Sequence, residues 1–447
     1  MWGSPAVAIV RRMVAAGVAA LPDATDALGR LDDEALPALA DLLGRPGDLL
    51  GVALAPAGGR VRTVQPRQTA WRPGRSLTVR YDTRVAWPDG TVTDEVLVAS
   101  TGRPHPGAMV LRAGDVEIGV WRLPYDPWLP GLAAVTAHHR LEPLLDAVGV
   151  PPGDAERRIV TYRPGRRAVV LVRRGGTTLF VKVTRPDQAR ALHDRHVALA
   201  GAVPVPRSLG TDPDLGLVVL EGLGGTLLRQ RVPLPDATLP PAGAVTALLD
   251  RLPPPPGDQP AAGWRAPEWV DLLGRLRPRQ DERLQALAGE LAAVDAGRDE
   301  ARVPVHGDLH DAQLLVQRER ITGLLDVDTH GTGRRLDDLA NLIGHLATLA
   351  VTTPRRATVE RYAARLLAGF DRAVDPVVLR YAVADVVLGL ATGPFRVLEP
   401  NWPANTDTRI ALAESWAASA RRLAGGGPPD ETGLRTSSRT SHLAGAP

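Results

Sequence analysis

Two residue types are conspicuously scarce in this chain of 447 residues. Cysteine is absent, which excludes disulfide bridges, thiolate metal ligands and a cysteine nucleophile. Lysine occurs once, as Lys182, among 53 basic residues, so the other 52 are arginine. Arginine has replaced lysine almost everywhere, and the exception therefore indicates a position where arginine does not serve.

Long apolar runs and a dominant charge are also lacking. No uninterrupted apolar run reaches the ~18 residues of a membrane span, and in the apolar stretch 5–21 the basic pair Arg11-Arg12 lies inside, unlike in a signal peptide. The net charge of +3 comes from arginines interleaved with acids, without a basic stripe. We therefore predict a cytoplasmic protein that binds neither nucleic acid nor membrane.

The pattern along the chain predicts an α+β protein. Two helices are expected in residues 5–45, followed by strands from about Val52. Further strands are predicted at 168–172, 177–183 and 217–221, with one helix at 186–200. Alternating βα units are not evident, which argues against a doubly wound parallel sheet.

A five-residue pattern occurs twice, each time before a strand. The copies are Trp71-Arg72-Pro73-Gly74-Arg75 and Tyr162-Arg163-Pro164-Gly165-Arg166. Each following strand leads to a glycine turn and a further strand, but only the second copy includes the lysine. Duplication of a hairpin unit and chance similarity in a chain rich in arginine, proline and glycine both remain open.

The second half is predicted to be mostly helical. Candidate helices cover 281–294, 336–350, 356–371, 376–392 and 407–424. Together these patterns predict four parts: an N-terminal cap at 1–150, a sheet lobe at 151–232, a helical lobe at 233–424 and a disordered tail at 425–447.

One segment of the helical half combines residues that suit phosphate chemistry. Residues 303–328 read VPVHGDLHDAQLLVQRERITGLLDVD, which predicts a loop, a strand, a turn and a second strand. This hairpin would bring Asp308 and Asp326 to one cleft, with Gln313 between them. Carboxylate and amide oxygens suit Mg²⁺, and a separate lysine could pair with phosphate oxygens.

These motifs resemble the aminoglycoside phosphotransferase and choline kinase-like branch of the protein-kinase fold. The resemblance rests on HGDLHDAQ, GLLDVD and the earlier FVKV, and it covers about residues 155–424. It implies a bilobal fold with an antiparallel sheet lobe and a helical lobe. The additional N-terminal domain resembles that of maltokinase.

The resemblance implies an ATP-dependent phosphotransferase that uses Mg²⁺ and moves the γ-phosphate to a hydroxyl of a sugar, aminoglycoside or amino alcohol. It implies that Asp308 is the catalytic base and that Gln313 and Asp326 are metal ligands. It also implies nucleotide contacts from Lys182, Glu221, Leu223, Arg163 and Gly165, and a bracing role for Asp338. His306 and His310 are expected to give structural support by hydrogen bonding within the loop.

Three positions depart from the family pattern. Gln313 replaces an asparagine, and Val327 replaces the usual aromatic residue after Asp326. The helix that should carry a glutamate to pair with Lys182 offers Asp194 as its better-placed acid, with a shorter side chain. These departures keep a catalytically inactive binding or regulatory protein as an alternative, and nucleotidyl transfer from the same pocket as another.

Overall fold

Two five-stranded antiparallel sheets and a helical lobe form the part of the chain that the structure describes. The structure is a computed structural model, and it describes residue 28 and residues 31–136, 138–257 and 259–426. The helix predicted in 5–21 and nearly all of the predicted tail lie outside these residues. Contacts divide the chain into two units, of which the first comprises 1–197, 206–222 and 394–403, and the second the remainder.

The first unit begins with two short helices and a long meander. Helices α1 (Leu39–Gly44) and α2 (Pro46–Leu54) precede five strands. The strands are β1 (Arg60–Arg72), β2 (Ser76–Ala86), β3 (Val92–Ser100), β4 (Met109–Ala113) and β5 (Val116–Arg122). They form one sheet in the order β1-β2-β3-β5-β4.

A second sheet follows in the same unit. Helices α3 (Pro130–Thr136) and α4 (His138–Ala147) lead into it. Its elements are β6 (Glu156–Arg163), β7 (Arg167–Arg174), β8 (Thr177–Val183), α5 (Pro186–Leu199), β9 (Ser208–Asp212) and β10 (Leu217–Glu221). The order β6-β7-β8-β10-β9 matches that of the first sheet position by position.

Strand register identifies the counterpart of the lysine in the first sheet. Lys182 pairs with Val169, which lies two residues beyond the β6–β7 turn. Thr78 stands at the same place after the β1–β2 turn, and it pairs with Ser100. The first sheet therefore carries a serine where the second carries the lysine.

The two sheets share one hydrophobic core. Val98 and Trp121 of the first sheet belong to the same buried cluster as Val170 and Val181 of the second. The ring nitrogen Nε1 of Trp121 also donates to the hydroxyl of Tyr162 at 3.1 Å. The first 150 residues and the second sheet thus depend on each other for burial of apolar surface.

The second unit is mainly helical. Its elements are β11 (Thr226–Leu227), α6 (Leu228–Arg231), α7 (Ala242–Leu249), α8 (Ala266–Leu276), α9 (Asp281–Ala296), β12 (Arg302–Val305), β13 (Leu314–Gln317), β14 (Arg320–Leu324), β15 (Gly331–Arg334), α10 (Arg335–Thr352), α11 (Arg356–Phe370), α12 (Pro376–Leu390), α13 (Gly393–Arg396) and α14 (Trp402–Ala424). Short 3₁₀ turns lie at 55–57, 278–280 and 327–329. The five helices predicted for this half are confirmed, with ends shifted by a few residues.

The predicted hairpin around the acidic motif is present in this unit. Strands β13 and β14 pair antiparallel, and β11 extends them to a three-stranded sheet. Strand β12 pairs with β15 on either side of the motif. The loop between β12 and β13 and the residues after β14 are therefore held together at one place.

One segment of the described chain, Pro376–Arg396, is long and apolar enough to cross a membrane by length and average hydropathy. Most of it is buried, and α12 packs in the core of the second unit. Arg380 and Asp385 interrupt its apolar sequence and are themselves buried. This segment is the kind of core helix that passes such a test without a membrane.

Candidate active site

The loop that carries Asp308 is shaped by a glycine. Gly307 has a backbone φ of +83°, and a Cβ added there would lie 2.5 Å from the carbonyl oxygen of Thr329. Only glycine adopts this conformation without strain. The chain can therefore turn sharply after β12 and present residues 308–313 to the end of the hairpin.

A buried carboxylate at the start of α10 holds this loop. Asp338 accepts hydrogen bonds from the backbone N–H of His306 at 2.7 Å and of Gly307 at 2.8 Å. Burial raises the pKa of Asp338, while the neighbouring His306 and the two N–H donors oppose that effect. The carboxylate thus satisfies two backbone donors that would otherwise be buried without partners.

Asp308 lies among polar side chains from α10. The amide nitrogen Nδ2 of Asn341 donates to its Oδ1 at 3.3 Å. The rings of His310 and His345 stack in parallel, with centroids 4.1 Å apart. Burial lowers the pKa of His345 to about 3, and His310 adds to this effect, so the ring of His345 is neutral at ordinary pH.

Gln313 connects this group to the second predicted carboxylate. Its Nε2 lies 3.1 Å from Nε2 of His310 and donates to Oδ2 of Asp326 at 3.3 Å. The backbone N–H of Leu325 donates to the carbonyl of Gln313 at 2.8 Å. Asp326 itself has a left-handed backbone, with φ of +56°, at the point where the hairpin ends.

His306 and Asp311 connect the loop between β12 and β13 to neighbouring segments of the second unit. Nε2 of His306 lies 2.9 Å from the carbonyl oxygen of Leu325, which ties the loop to the end of β14. Asp311 is fully buried and accepts through its backbone carbonyl from the N–H of Arg229 at 2.9 Å. Burial opposes ionisation of Asp311, but His310 and Arg229 outweigh it and lower its pKa.

In the first unit, Lys182 lies on β8 between Val169 of β7 and Val218 of β10. It is 5% exposed. Its neighbours Val181 and Val183 face the core shared by the two sheets, so Lys182 faces the opposite side, where α5 packs. The lysine therefore stands near the turn end of the second sheet.

The β6–β7 turn is held by residues of the cap. Oδ2 of Asp126 accepts from the backbone N–H of Gly165 at 2.7 Å and from the hydroxyl of Tyr162 at 2.9 Å. Gly165 has a φ of +64°, and a Cβ there would lie 3.2 Å from the ring of Trp128. Arg163 pairs with Arg167 across the turn.

The other predicted nucleotide contacts lie at the end of β10 and just after it. Glu221 ends β10 and forms an ion pair with Arg207 at 2.8 Å, and Leu223 lies beside Gly323 of β14. Asp194 is exposed on α5 and forms no ion pair with a described residue. The pairing of Asp194 with Lys182 stays a prediction.

The sequence analysis missed Asn341 and His345. Both lie on α10 at positions three and seven after Asp338. Because residues at these spacings share one face of a helix, the pattern DxxNxxxH beginning at Asp338 could have revealed them.

A glycine-shaped acidic loop, an antiparallel hairpin and a second acid thus lie together in the second unit. Residues 159–375, just under half of the chain, match the model of the phosphotransferase enzyme family (APH). The chain is therefore an enzyme that transfers phosphate from ATP to a hydroxyl of a small molecule, on a protein-kinase-like α+β fold.

Several solved structures are similar to the chain. A choline/ethanolamine kinase family protein from Mesorhizobium loti is 16% identical, with a TM-score of 0.44, over 66% of this chain and 96% of its own. An aminoglycoside-3'-phosphotransferase of type VIII is 28% identical, with a TM-score of 0.38, over 55% and 98%. A thermostable mutant of aminoglycoside phosphotransferase APH(4)-Ia, in complex with AMP-PNP and hygromycin B, is 16% identical, with a TM-score of 0.41, over 64% and 99%. Among curated proteins, none matches the sequence significantly.

Proposed function

We propose that Asp308 is the residue that orients and deprotonates the acceptor hydroxyl. Asn341 donates to its Oδ1, which leaves Oδ2 to accept a proton from the incoming hydroxyl. The loop is braced by Asp338, so the carboxylate is placed before the substrate binds. The alternative of an inactive kinase-like protein is not favoured, because the family match comes with both acids and the lysine in place.

Gln313 and Asp326 would hold Mg²⁺. Their side chains already meet at 3.3 Å, and together they offer carboxylate and amide oxygens, the ligands that this ion prefers. The amide of Gln313 would turn its oxygen toward the ion, a rotation that keeps its hydrogen-bond reach to His310. Mg²⁺ in this place would neutralise charge on the phosphates.

We propose that Lys182 contacts the α- and β-phosphates and that the turn with Arg163 and Gly165 overlies them. Glu221 and Leu223 would flank the adenine, whereas Asp194 would reach Lys182 only after its side chain rotates inward.

The first sheet, with Ser100 in place of the lysine, would be a degenerate copy that binds no nucleotide. The common strand order of the two sheets supports this.

The proposed acceptor is a sugar, an aminoglycoside or an amino alcohol. The cytoplasmic location stays a prediction.

The observation that carries this proposal is the continuous chain of contacts from Asp326 through Gln313 to His310 beside Asp308. The test measures phosphate transfer from ATP to a panel of sugars, amino alcohols and aminoglycosides. Asp308→Asn should lower kcat by about 10²- to 10⁴-fold and leave ADP affinity nearly unchanged. Asp326→Ala should abolish the Mg²⁺ dependence of nucleotide binding.

Glu319→Gln is the matched control, because Glu319 is an exposed acid in the turn of the same hairpin. Full activity of Asp308→Asn on every acceptor that the wild type uses would refute the role of Asp308. Mass spectrometry of the product separates phosphorylation from nucleotidyl transfer, since the two add different masses.

A further inference from the structure

Two arginines that are far apart in sequence each follow a residue of an aromatic contact at the edge of the first sheet. The hydroxyl of Thr69 donates to the carbonyl of Phe395 at 3.2 Å, and the rings of Trp71 and Phe395 lie 6.1 Å apart. Arg72 directly follows Trp71 at the end of β1, and Arg396 directly follows Phe395 at the end of α13. These contacts place the backbones of the two exposed arginines in one region of the first unit.

The β6–β7 turn adds further guanidinium groups to this surface. Nε of Arg185 donates to the carbonyl of Gly165 at 3.0 Å, and its guanidinium lies 4.6 Å over the ring of Trp128. Burial lowers the pKa of the neighbouring Arg166, and the charges of Arg72, Arg396, Arg167 and Arg185 lower it further. The strongest charges acting on Arg166 are therefore all positive.

Arg72, Arg166 and Arg396 form no ion pair with any residue that the structure describes. Other exposed arginines of the same unit do, such as Arg112 with Glu117 at 2.7 Å. Like charges held close together without an acid raise the energy of the folded protein. An anion that binds among them would remove this cost, and guanidinium groups match phosphate oxygens well.

We propose that Arg72, Arg166 and Arg396 form a phosphate-binding site, which the polyphosphate of the nucleotide occupies. The inference rests on the proposed function, because that assigns the turn at 162–167 to the phosphates. It adds two contributors from outside the second sheet: Arg72 from the first sheet and Arg396 from α13. Asp126 accepts hydrogen bonds from Tyr162 and Gly165 of the β6–β7 turn, so the turn that carries Arg166 is fixed before the nucleotide binds.

The proposal is tested by calorimetric titration of the full chain with inorganic tripolyphosphate, ATP, adenosine and glucose 6-phosphate. Arg72→Gln and Arg396→Gln should each weaken tripolyphosphate and ATP binding by about tenfold, the value of one charge-assisted hydrogen bond. Adenosine affinity should not change, and raising the salt concentration should reduce the difference between variants and wild type.

Arg75→Gln is the matched control. Arg75 is exposed in the same β1–β2 turn, but Arg72 and Arg396 rather than Arg75 are among the strongest charges that act on Arg166. Unchanged tripolyphosphate affinity in the Arg72→Gln/Arg396→Gln double variant would overturn the proposal, as would an equal loss in Arg75→Gln. Loss of glucose 6-phosphate binding alone would overturn the assignment to the nucleotide, because the phosphate would then belong to the acceptor.

The failure of the proposed function has a different signature. If the wild type transfers no phosphate but binds tripolyphosphate through Arg72 and Arg396, the phosphate site stands and the enzyme assignment of Asp308 fails. Circular dichroism of each variant confirms that these surface substitutions leave the fold intact.

Discussion

The single lysine has a position in the structure that explains why arginine would not replace it. Lys182 is almost fully buried between two strands and faces the side of the sheet on which α5 packs. A guanidinium is larger and planar, and it cannot occupy the same space as a compact ammonium group. The surface arginines are under no such constraint.

Lys182→Arg should therefore lower kcat/KM for ATP by about tenfold or more although the charge is kept. The control is the reverse exchange Arg173→Lys, at an exposed position of the adjacent β7, which should leave the kinetics unchanged. Steady-state kinetics with varied ATP measures both. Wild-type kinetics for Lys182→Arg would show that any cation serves at this position.

Asp385 is a buried acid whose charge costs stability. It accepts from the backbone N–H of Arg265 at 3.0 Å at the start of α8, and burial raises its pKa to about 7. The folded state therefore holds a proton that the unfolded chain releases near pH 4. The contribution of this group to stability is largest below pH 4 and is lost as pH rises toward 7.

Asp385→Asn should reduce the fall in unfolding free energy between pH 5 and pH 7.5, by on the order of 2 kcal/mol. The asparagine keeps an oxygen that can accept from the backbone of α8. Urea denaturation of wild type and variant at both pH values measures the difference. Parallel pH profiles for the two proteins would mean that Asp385 titrates normally.

Among the local structural units, the loop after β12 depends most on one backbone conformation. Gly307→Ala should destabilise the protein by about 1–3 kcal/mol, because its φ is positive and its Cβ would meet the carbonyl of Thr329. It should also lower kcat, since Asp308 is the next residue. Thermal unfolding and transfer assays measure the two effects.

Gly289 in α9 is the matched control for this substitution. A Cβ at Gly289 meets nothing within 4 Å, and its φ is in the ordinary helical range. Gly289→Ala should therefore stabilise the protein by about 0.5–1 kcal/mol. If both substitutions changed stability in the same direction, the special role of the backbone at Gly307 would be refuted.

For the molecule as a whole, the shared core of the two sheets means that residues 1–150 cannot be removed without exposing apolar surface of the second sheet. Val98 and Trp121 bury the same apolar surface as Val170 and Val181. A chain of residues 151–447 would expose that face of the second sheet to water. The N-terminal part is therefore a structural requirement of the second sheet.

We expect the fragment 151–447 to aggregate or to unfold without a cooperative transition, and co-expression with 1–150 to restore a folded complex. Size-exclusion chromatography and thermal unfolding of the fragment measure this. A monomeric fragment that melts at the temperature of the full chain would show that the first sheet is dispensable for folding.

Much of the fold and of the site could be predicted because the signals were local. Strand β8 is present with the predicted ends, and helices α9 to α12 agree within two residues. The acids, the amide and the glycine lie within a span of 20 residues, so their proximity follows from one hairpin. The contacts of Asn341 and His345 could not be read in the same way, because they depend on the packing of α10 against the loop.

Asp194 illustrates where sequence reasoning ends. It is the better-placed acid of its helix by spacing, yet the rotation of α5 about its axis leaves it exposed. That rotation is set by Ala189 and Leu192, which pack under Val218 and Leu220.

The amino-acid sequence was sufficient for the class of enzyme, the position of the unusual lysine and the acidic hairpin, because each depends on residues close together along the chain. The common core of the two sheets and the contact of Trp71 with Phe395 depend on long-range packing. Their residues are separated by tens to hundreds of positions, and only the burial of apolar side chains such as Trp71 and Phe395 brings them together. No local sequence pattern predicts those contacts, because the hydrophobic effect favours burial of an apolar side chain against any apolar partner.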